Sequence, residues 1–242
     1  MERWGGTMSM ELYRKVIDDS LTIPQIKHYV LHGLGEPALD RHMIDRVKYI
    51  RERSDRPIEI YTNGIHMGPD RLDALAAAGL STIVFSVNAV RADQHDSIMG
   101  TKGKYETVVA NALHAIHKTN LYVECHAVES ERFSRLDTAL FRIMWGDNAV
   151  VVQKNNWAGD IESPNVADDT TPCTRAITQI YVMYDGRVTM CCLDPSGKTI
   201  FGDLRTQSIR EIYNSPSYVA FRQAHAEGRA AEYTACKGWS RT

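Results

Sequence analysis

Short apolar runs alternate with amphipathic stretches along the first 150 residues of the chain. The short runs have the length and the β-branched content of buried strands. The amphipathic stretches repeat apolar side chains every three or four residues, as helices that cover one face of a sheet do. The predicted strands are residues 29–31, 58–61, 82–87, 121–128 and 149–153, and the predicted helices are residues 9–19, 40–53, 70–78, 105–117 and 136–144.

This alternation of strands and helices predicts right-handed βαβ units and therefore a parallel sheet. Periodicity alone fits a doubly wound sheet and part of a barrel equally well. The rest of the chain has a different pattern, with a hairpin, short helices over residues 208–214 and 217–227, and a tail containing Cys236. A polar stretch near residues 157–170 separates the two patterns, so we predict domains over residues 1–160 and 161–242.

The hairpin is predicted from Asp185-Gly186, which lies between β-rich runs at residues 179–184 and 187–193. A two-residue type I′ turn needs positive φ at both central positions, which this pair tolerates. Such a hairpin brings together the segments around Cys173 and Cys191, and the helical segment after it can return Cys236 to the same place.

Polar side chains alternate with apolar ones on three consecutive strands of the predicted sheet. In a parallel barrel, alternate residues point into the lumen, and chemistry collects at the carboxyl ends of the strands. A single such residue is explained as well by solvation, but the set favours a polar ligand site. Cys125, on the apolar side, is expected to be a buried small hydrophobe. The predicted lumen positions are Glu59, Tyr61, Ser86, Asn88, Glu124 and His126, with His32 as a further candidate.

Composition and charge exclude several classes of protein. Hydrophobic residues make up 43% and charged residues 24% of the 242 residues, which is typical of a globular protein. The net charge of −2 gives no reason to expect a nucleic acid or an anionic membrane as partner. Neither a signal peptide nor an 18-residue apolar run is found. We therefore expect a cytoplasmic protein, in which reduced thiols favour a metal site over disulfides.

Several motifs together resemble the radical S-adenosylmethionine (SAM) superfamily and its SPASM/twitch subgroup. Each of the first three predicted strands is followed by a short polar motif, and a cysteine pattern fills the last third of the chain. The resemblance covers essentially the whole sequence. The motifs are Gly35-Glu36-Pro37, Thr62-Asn63-Gly64, Ser86-Val87-Asn88, Cys173, Asp185-Gly186, Cys191-Cys192, Gly202-Asp203, the run 209–215 and Cys236-Lys237-Gly238.

The resemblance implies an α/β fold, a partial (β/α)6 TIM-like barrel that lacks its first strand here. A small C-terminal α+β SPASM/twitch domain with a β-hairpin follows it. In the family, the Gly-Glu-Pro backbone receives the amino group of SAM, and polar residues at strand ends hold its ribose and carboxylate. Carried over by position, Gly35, Glu36 and Pro37 would play the first role, and the candidates for the second are Thr62, Asn63, Ser86 and Asn88.

The resemblance also implies an auxiliary [4Fe–4S] cluster in the C-terminal domain, held by Cys173, Cys191 and Cys236. Adjacent residues of a regular strand point to opposite faces, so we favour Cys191 and keep Cys192 as its substitute. The final Cys-x2-Cys pattern of the family has Trp239 in its last place, and an indole cannot bind iron. Asp194, Cys192 after a local bulge, or an exogenous ligand would then fill the fourth position. A zinc site is a further alternative, because Zn²⁺ also binds thiolates tetrahedrally.

The family's defining Cys-x3-Cys-x2-Cys motif precedes the first helix, whereas this chain has no cysteine before Cys125. We therefore expect a radical SAM oxidoreductase or maturase that is truncated or inactive as given. Its substrate would be a small molecule or a peptide, with flavodoxin or ferredoxin as external reductant. Glu124 and His126 are candidates to take a substrate proton. The alternative is a binding module that kept the barrel and lost the chemistry, so enzyme status stays open.

Overall fold

The structure is a computed structural model that describes residues 6–33, 35–154, 173–194, 196–233 and 236. The chain forms two compact units. One is Gln25–Gln153, and the other combines Met1–Pro24 with Lys154–Thr242. The first helix, α1 (Met10–Leu21), belongs to the second unit and begins at Ser9, whose side chain accepts a hydrogen bond from the Leu12 amide. Among the described residues, no helix combines the length and the apolar character needed to span a membrane.

The Gln25–Gln153 unit is built on five parallel strands whose spatial order is the same as their order along the chain. Each predicted strand is found, with ends that differ by at most one residue. The strands are β1 (Tyr29–Val30), β2 (Ile58–Thr62), β3 (Thr82–Ser86), β4 (Tyr122–Glu129) and β5 (Ala149–Gln153).

Helices connect each strand of this sheet to the next one. A capping box at Ser134 and Asp137 starts the last of them, and Pro69 in the first turn helps to start another. They are α2 (Met43–Arg51), α3 (Pro69–Ala77), α4 (Ala92–Met99), α5 (Tyr105–Lys118) and α6 (Arg135–Trp145), with 3-10 helices at Pro37–Leu39 and Gly146–Asn148. Helix α4 was not predicted from the sequence.

The strand order decides between the two architectures that periodicity left open. A doubly wound sheet reverses its strand order at a switch point, whereas β1 to β5 follow one another without reversal. Right-handed crossovers then place all connecting helices on the same side of the sheet. The unit is therefore a partial barrel with helices outside and a lumen inside, as predicted.

Burial alternates along the strands in the predicted way. The residues expected to face the helices are almost fully buried, and they include Cys125, whose thiol pKa burial raises to about 12. The residues expected in the lumen are half-buried at Glu59, Tyr61, Glu124 and His126. The helix-facing set is Ile58, Ile60, Ile83, Phe85, Val87, Val123, Cys125 and Ala127.

In its described residues, the second unit contains a three-stranded antiparallel sheet and four helices around an apolar core. In that core the Phe201 ring stacks on the Tyr218 ring with centroids 4.2 Å apart. After α1, its elements are α7 (Thr174–Thr178), β6 (Tyr181–Val182), β7 (Arg187–Thr189), β8 (Ile200–Asp203), α8 (Ile209–Tyr213), α9 (Pro216–Ala226) and a 3-10 helix at Ala230–Glu232.

The hairpin between β6 and β7 is present, but the predicted type I′ turn is wrong. Gly186 has φ of 92°, whereas among the described non-glycine residues only Asn88 has a positive φ. Met183 and Arg187 close the loop through the Met183 amide and the Arg187 carbonyl at 2.8 Å. The connection therefore has three residues and ends in a left-handed glycine, an arrangement that demands less of Asp185 than type I′ does.

Helix α1 packs with the C-terminal elements, which differs from the predicted domain of residues 1–160. The Lys15 ammonium donates to the Arg205 carbonyl at 2.6 Å, and the Asp19 carboxylate accepts from the Ile209 amide at 2.6 Å. Val16 and Ile23 lie against the core of the second unit. The apolar side of α1 had shown that this helix is buried, but not which core covers it. The predicted boundary near residues 157–170 lies outside the described residues.

Candidate cofactor-binding sites

The Glu36 carboxylate joins two of the sequence motifs at the carboxyl edge of the sheet. One of its oxygens, Oε1, accepts from the Thr62 hydroxyl at 2.5 Å and from the Ala38 amide at 3.0 Å. The other oxygen, Oε2, accepts from the Asn63 amide at 2.7 Å. Because hydrogen bonds to a carboxylate are stronger than those between neutral groups, this contact fixes the Gly-Glu-Pro and Thr-Asn-Gly segments relative to each other.

Further hydrogen bonds hold the Thr-Asn-Gly turn in place. Thr62 is buried, and its oxygen also accepts from the Gly64 amide at 3.0 Å. The buried Asn111 side chain donates to the Gly64 carbonyl at 2.8 Å. Gly64 has φ of 76°, and a Cβ there would lie 2.9 Å from the Phe85 ring, so glycine is required. The structure thus gives Thr62 a positioning contact, while the Asn63 side-chain oxygen accepts a hydrogen bond from the Ile65 amide at 3.0 Å.

Asn88 ties the end of β3 to β4. It adopts a left-handed conformation, with φ of 55°, that asparagine tolerates better than most residues. Its amide donates to the His126 carbonyl at 3.0 Å, and its side-chain oxygen accepts from the Val128 amide at 3.0 Å. The backbone N–H and the side-chain oxygen of Asn88 are thus already hydrogen-bonded within the protein. Ser86, the other candidate at the end of β3, offers a hydroxyl on the lumen side.

Gly35 leaves open space at the same edge. A Cβ built at this position would meet no atom within 4 Å, so the backbone is accessible to a ligand. Pro37 follows as the first residue of the 3-10 helix and is buried. An accessible backbone next to polar side chains suits the amino acid and ribose parts of SAM, and the residues present therefore fit this cofactor.

The candidate proton acceptors form a pair on the lumen face of β4. The His126 Nε2 atom lies 2.6 Å from a Glu124 carboxylate oxygen. The Tyr61 ring approaches His126 edge-on, with centroids 5.8 Å apart, and packs against His32 at 4.5 Å. Polar side chains from β2, from β4 and from the segment just after β1 therefore lie close together.

Burial changes the titration of His32, which packs against Tyr61 in the lumen. Burial lowers its pKa from 6.5 to about 4, so the imidazole is neutral at physiological pH. Its Nδ1 atom is buried and has no hydrogen-bond partner. The only sequence signal for this residue was its place one residue beyond a predicted strand.

Cys173, Cys191 and Cys236 meet at the core of the second unit. Cys236 is buried with its Sγ atom 3.9 Å from the Met190 Sδ atom, and the other two thiols pack against the same core. Cys173 immediately precedes α7, while Cys191 and Cys192 follow the end of β7. The argument from alternating strand faces is therefore wrong for these two cysteines, because both lie beyond the strand.

The pKa values of the thiols indicate which cysteines lie close to one another. The pKa of Cys236 is raised to about 12, mainly by burial and also by the neighbouring thiols of Cys191 and Cys173 and the carboxylate of Asp194. The pKa of Cys191 is raised to about 12, mainly by burial and also by Cys192, Cys173 and Asp194. Cys192 is not among the groups that act on Cys236. Packing agrees with this grouping, because Cys191 and Cys173, but not Cys192, pack against the core that contains Cys236.

Asp194 is a buried carboxylate that organises the loop after the two cysteines. It accepts from the Thr189 hydroxyl at 2.5 Å and from the amides of Lys198 and Thr199 at 2.8 and 3.0 Å. Three donors thus occupy a side chain that we had considered as a fourth ligand. Its contribution to the loop was not visible in the sequence, because aspartate before a proline is common in any turn.

Within the described residues, no three His, Cys, Asp or Glu side chains converge closely enough to hold a single metal ion. A polynuclear cluster keeps its thiolates further apart than one tetrahedral ion does, and thiolates are the ligands of iron–sulfur clusters. Three thiols at one apolar core supply ligands of the kind that iron–sulfur clusters use. Trp239 lies outside the described residues.

The comparison with protein families agrees with this arrangement. Residues 1–126 match the model of the radical SAM superfamily, and residues 173–238 match SPASM, an iron–sulfur cluster-binding domain. The first match alone covers more than half of the 242 residues. The chain belongs to the radical SAM superfamily. The predicted family, fold class and two cofactor classes are thereby confirmed, whereas the residues that hold each cofactor stay predictions.

Two curated relatives show what similar proteins do. One is the cofactor-modifying protein of a tungsten-containing aldehyde ferredoxin oxidoreductase from Pyrococcus furiosus, 26% identical over 155 residues. That match covers 61% of this chain but only 43% of the relative. The other is the SAM-dependent 2-deoxy-scyllo-inosamine dehydrogenase of Niallia circulans, 22% identical over 234 residues, or 96% of this chain and 80% of the relative.

Solved structures show the same fold. BtrN in complex with AdoMet and 2-DOIA has a TM-score of 0.69 at 20% identity, covering all of this chain and 84% of that one. Native anSMEcpe with bound AdoMet has a TM-score of 0.64 at 14% identity, with coverages of 100% and 82%. At these identities the likeness establishes the architecture of the chain.

Replacing Glu36 by Gln should loosen the turn at Asn63. The substitution removes the negative charge that accepts from Thr62, Ala38 and Asn63, and it replaces one oxygen by an NH2 group, which cannot accept a hydrogen bond. The Asn63 amide therefore loses part of its protection from hydrogen exchange. We expect its hydrogen exchange to accelerate about 10- to 100-fold, corresponding to roughly 1.5–3 kcal/mol for a charged hydrogen bond. Exchange mass spectrometry of the peptide around Asn63 measures this, with exposed Glu52→Gln as control. Unchanged exchange would contradict the positioning role.

Replacing His32 by Gln should flatten the acid dependence of stability. Between pH 6.5 and about 4 the unfolded chain binds a proton that folded His32 does not, so the wild type loses stability as the pH falls through this window. The loss from this residue is about 2 kcal/mol. Urea unfolding at pH 7 and pH 4.5 measures it. The control is His117→Gln, which removes an exposed imidazole; equal losses in wild type and His32→Gln would refute the assignment.

Proposed function

We propose that this chain forms the SAM-binding, substrate-binding and electron-accepting parts of a radical SAM oxidoreductase that acts on a small-molecule alcohol. One observation carries the proposal. The same sheet edge and lumen contain both the two SAM motifs joined by Glu36 and the Glu124–His126 pair. The dehydrogenase from Niallia circulans, which aligns with almost the whole chain, supports the choice of reaction type.

Oxidation of an alcohol to a carbonyl removes one hydrogen atom, one proton and one electron. When bound, SAM is the source of the group that accepts the hydrogen atom, and the SPASM cluster accepts the electron. The residues of this chain then need to take only the hydroxyl proton. The Glu124 carboxylate, held 2.6 Å from His126, is placed in the lumen to receive it.

In this proposal the accessible backbone at Gly35 binds the amino group of SAM, and Asn63 and Ser86 hold its polar groups. These groups are positioned by contacts with Glu36, Pro37, Thr62 and Asn88. Cys173, Cys191 and Cys236 hold the cluster. The cytoplasmic location and the external reductant remain predictions of the same kind.

Adjacent cysteines give a matched test of the cluster site. After anaerobic reconstitution, the wild type and Cys192→Ala should carry about four irons and four sulfides per chain, because Cys192 is not grouped with Cys236. Cys191→Ala should lose most of both, and Cys125→Ala, in the other unit, should lose neither. Elemental analysis gives the result. Zinc in place of iron would support the alternative metal, and no metal in any variant would leave the thiols as packing residues.

Binding of SAM is tested separately by calorimetry on the same chain. We expect binding by the wild type and at least about tenfold weaker binding by Glu36→Gln, since it loses a charged hydrogen bond. Glu52→Gln should bind like the wild type. All five cysteines of these 242 residues lie at or beyond position 125, so we expect no 5′-deoxyadenosine from this chain under reducing conditions. Absence of SAM binding would refute the proposal, whereas cleavage would refute only the expected inactivity.

A further inference from the structure

Asp194 is a fully buried carboxylate that pairs with no cation in the part of the chain that the structure describes. Its exposed fraction is 0%, and its donors are the Thr189 hydroxyl and two backbone amides of the turn that follows. Asp137, the other acidic residue that is buried among the described residues, is paired with Arg91 at 3.0 Å. A buried ion without a counter-charge is costly, so this exception requires a reason.

The contacts of Asp194 keep its charge in place without neutralising it. One oxygen, Oδ1, accepts from the Lys198 amide at 2.8 Å. The other, Oδ2, accepts from the Thr199 amide at 3.0 Å and from the Thr189 hydroxyl at 2.5 Å. Hydrogen bonds donated to a carboxylate stabilise its ionised form. All three donors are neutral groups, so the negative charge remains in the core.

This charge lies in the same core as the thiols of the predicted cluster site. The Asp194 amide donates to the Cys191 carbonyl at 3.1 Å, so a tight turn joins the cysteine to the carboxylate. Thr189, which donates to the carboxylate, immediately precedes Met190. The Met190 Sδ atom in turn lies 3.9 Å from the Cys236 Sγ atom. Asp194 is therefore linked through one or two residues to two of the three cysteines.

The arginine that acts on this group of thiols does not offset the charge of Asp194 at Cys236. Burial raises the pKa of Cys192, and Arg175 counteracts this rise. At Cys236, burial and two neighbouring thiols raise the pKa and Asp194 adds to their effect, whereas Arg175 is not among the groups that act there. The negative charge thus acts on the side of the pocket that contains Cys236.

We propose that Asp194 lowers the reduction potential of an iron–sulfur cluster held by Cys173, Cys191 and Cys236. The potential of such a cluster depends on the charge around it, on hydrogen bonds and on solvent exposure. A fixed negative charge in a core of low dielectric constant disfavours the addition of an electron. The inference rests on the proposed function, because it needs the cluster at these cysteines. It gives Asp194 a role that requires no bond to iron.

The charge of Asp194 affects the fate of the electron in the proposed alcohol oxidation. The substrate loses one electron, the cluster gains it, and a second one-electron carrier of the ferredoxin class then removes it. Because the charge of Asp194 raises the energy of the reduced cluster, it favours this last transfer.

Redox titration of the full chain after anaerobic reconstitution, followed by electron paramagnetic resonance, tests this effect. Asp194→Asn keeps the shape of the side chain and removes its charge. We expect the equilibrium constant for reduction to rise roughly tenfold, which is about 59 mV for one electron. The control is Glu227→Gln, which removes the same charge from a side chain of the same unit that is 59% exposed. Its potential should equal that of the wild type, because solvent screens an exposed charge.

Thr189→Val distinguishes the charge of Asp194 from the structure of its loop. This variant removes one hydrogen bond to the carboxylate and leaves the charge, so it should lower the potential. A purely structural role would shift both variants in the same direction, and that result would overturn the inference. If Asp194→Asn holds no iron, the direction of the shift in Thr189→Val decides, with a fall supporting the inference and any other result overturning it.

The iron content shows which of the two proposals has failed. A wild type without iron would refute the proposed cluster and this inference together. About four irons per chain in the wild type and in Asp194→Asn, with equal potentials, would refute the inference alone.

Discussion

The carboxylate of Glu36 is the contact on which the cofactor edge of the barrel depends. It accepts hydrogen bonds from its own turn and from the turn after β2, so two loops that are 26 residues apart share one charged group. Asn111 and the glycine at position 64 complete the support from the helix side. Because these contacts are made by the protein alone, the edge is already ordered, and a ligand bound there would require little further ordering.

The cysteine pocket follows a different principle, since its thiols are part of a hydrophobic core. Cys236 packs against Met190, and the neighbouring loop is held by the buried carboxylate of Asp194. Thiols with raised pKa values must lose their protons to bind metal, so assembly of a cluster on these cysteines, as proposed above, would be coupled to pH and to the folding of this core.

The sequence predicted the strands and most helices because each is buried on one side and has a clear period. Helix α4 was missed because its buried residues, Gln94 and His95, are polar and leave no apolar stripe. The motifs located the site, but the contacts of Glu36 and Asp194 join residues whose proximity only the folded chain creates. The prediction of a type I′ turn at Gly186 was wrong because the pair Asp-Gly occurs in more than one type of turn.

The position of helix α1 affects how the protein is made. Its partners lie beyond residue 173, so the unit that contains α1 is completed only after the Gln25–Gln153 segment has been synthesised. The intervening Gln25–Gln153 segment contains all the strands of its own sheet and can fold while the rest is still being synthesised. Until then the apolar side of α1 has no core to join.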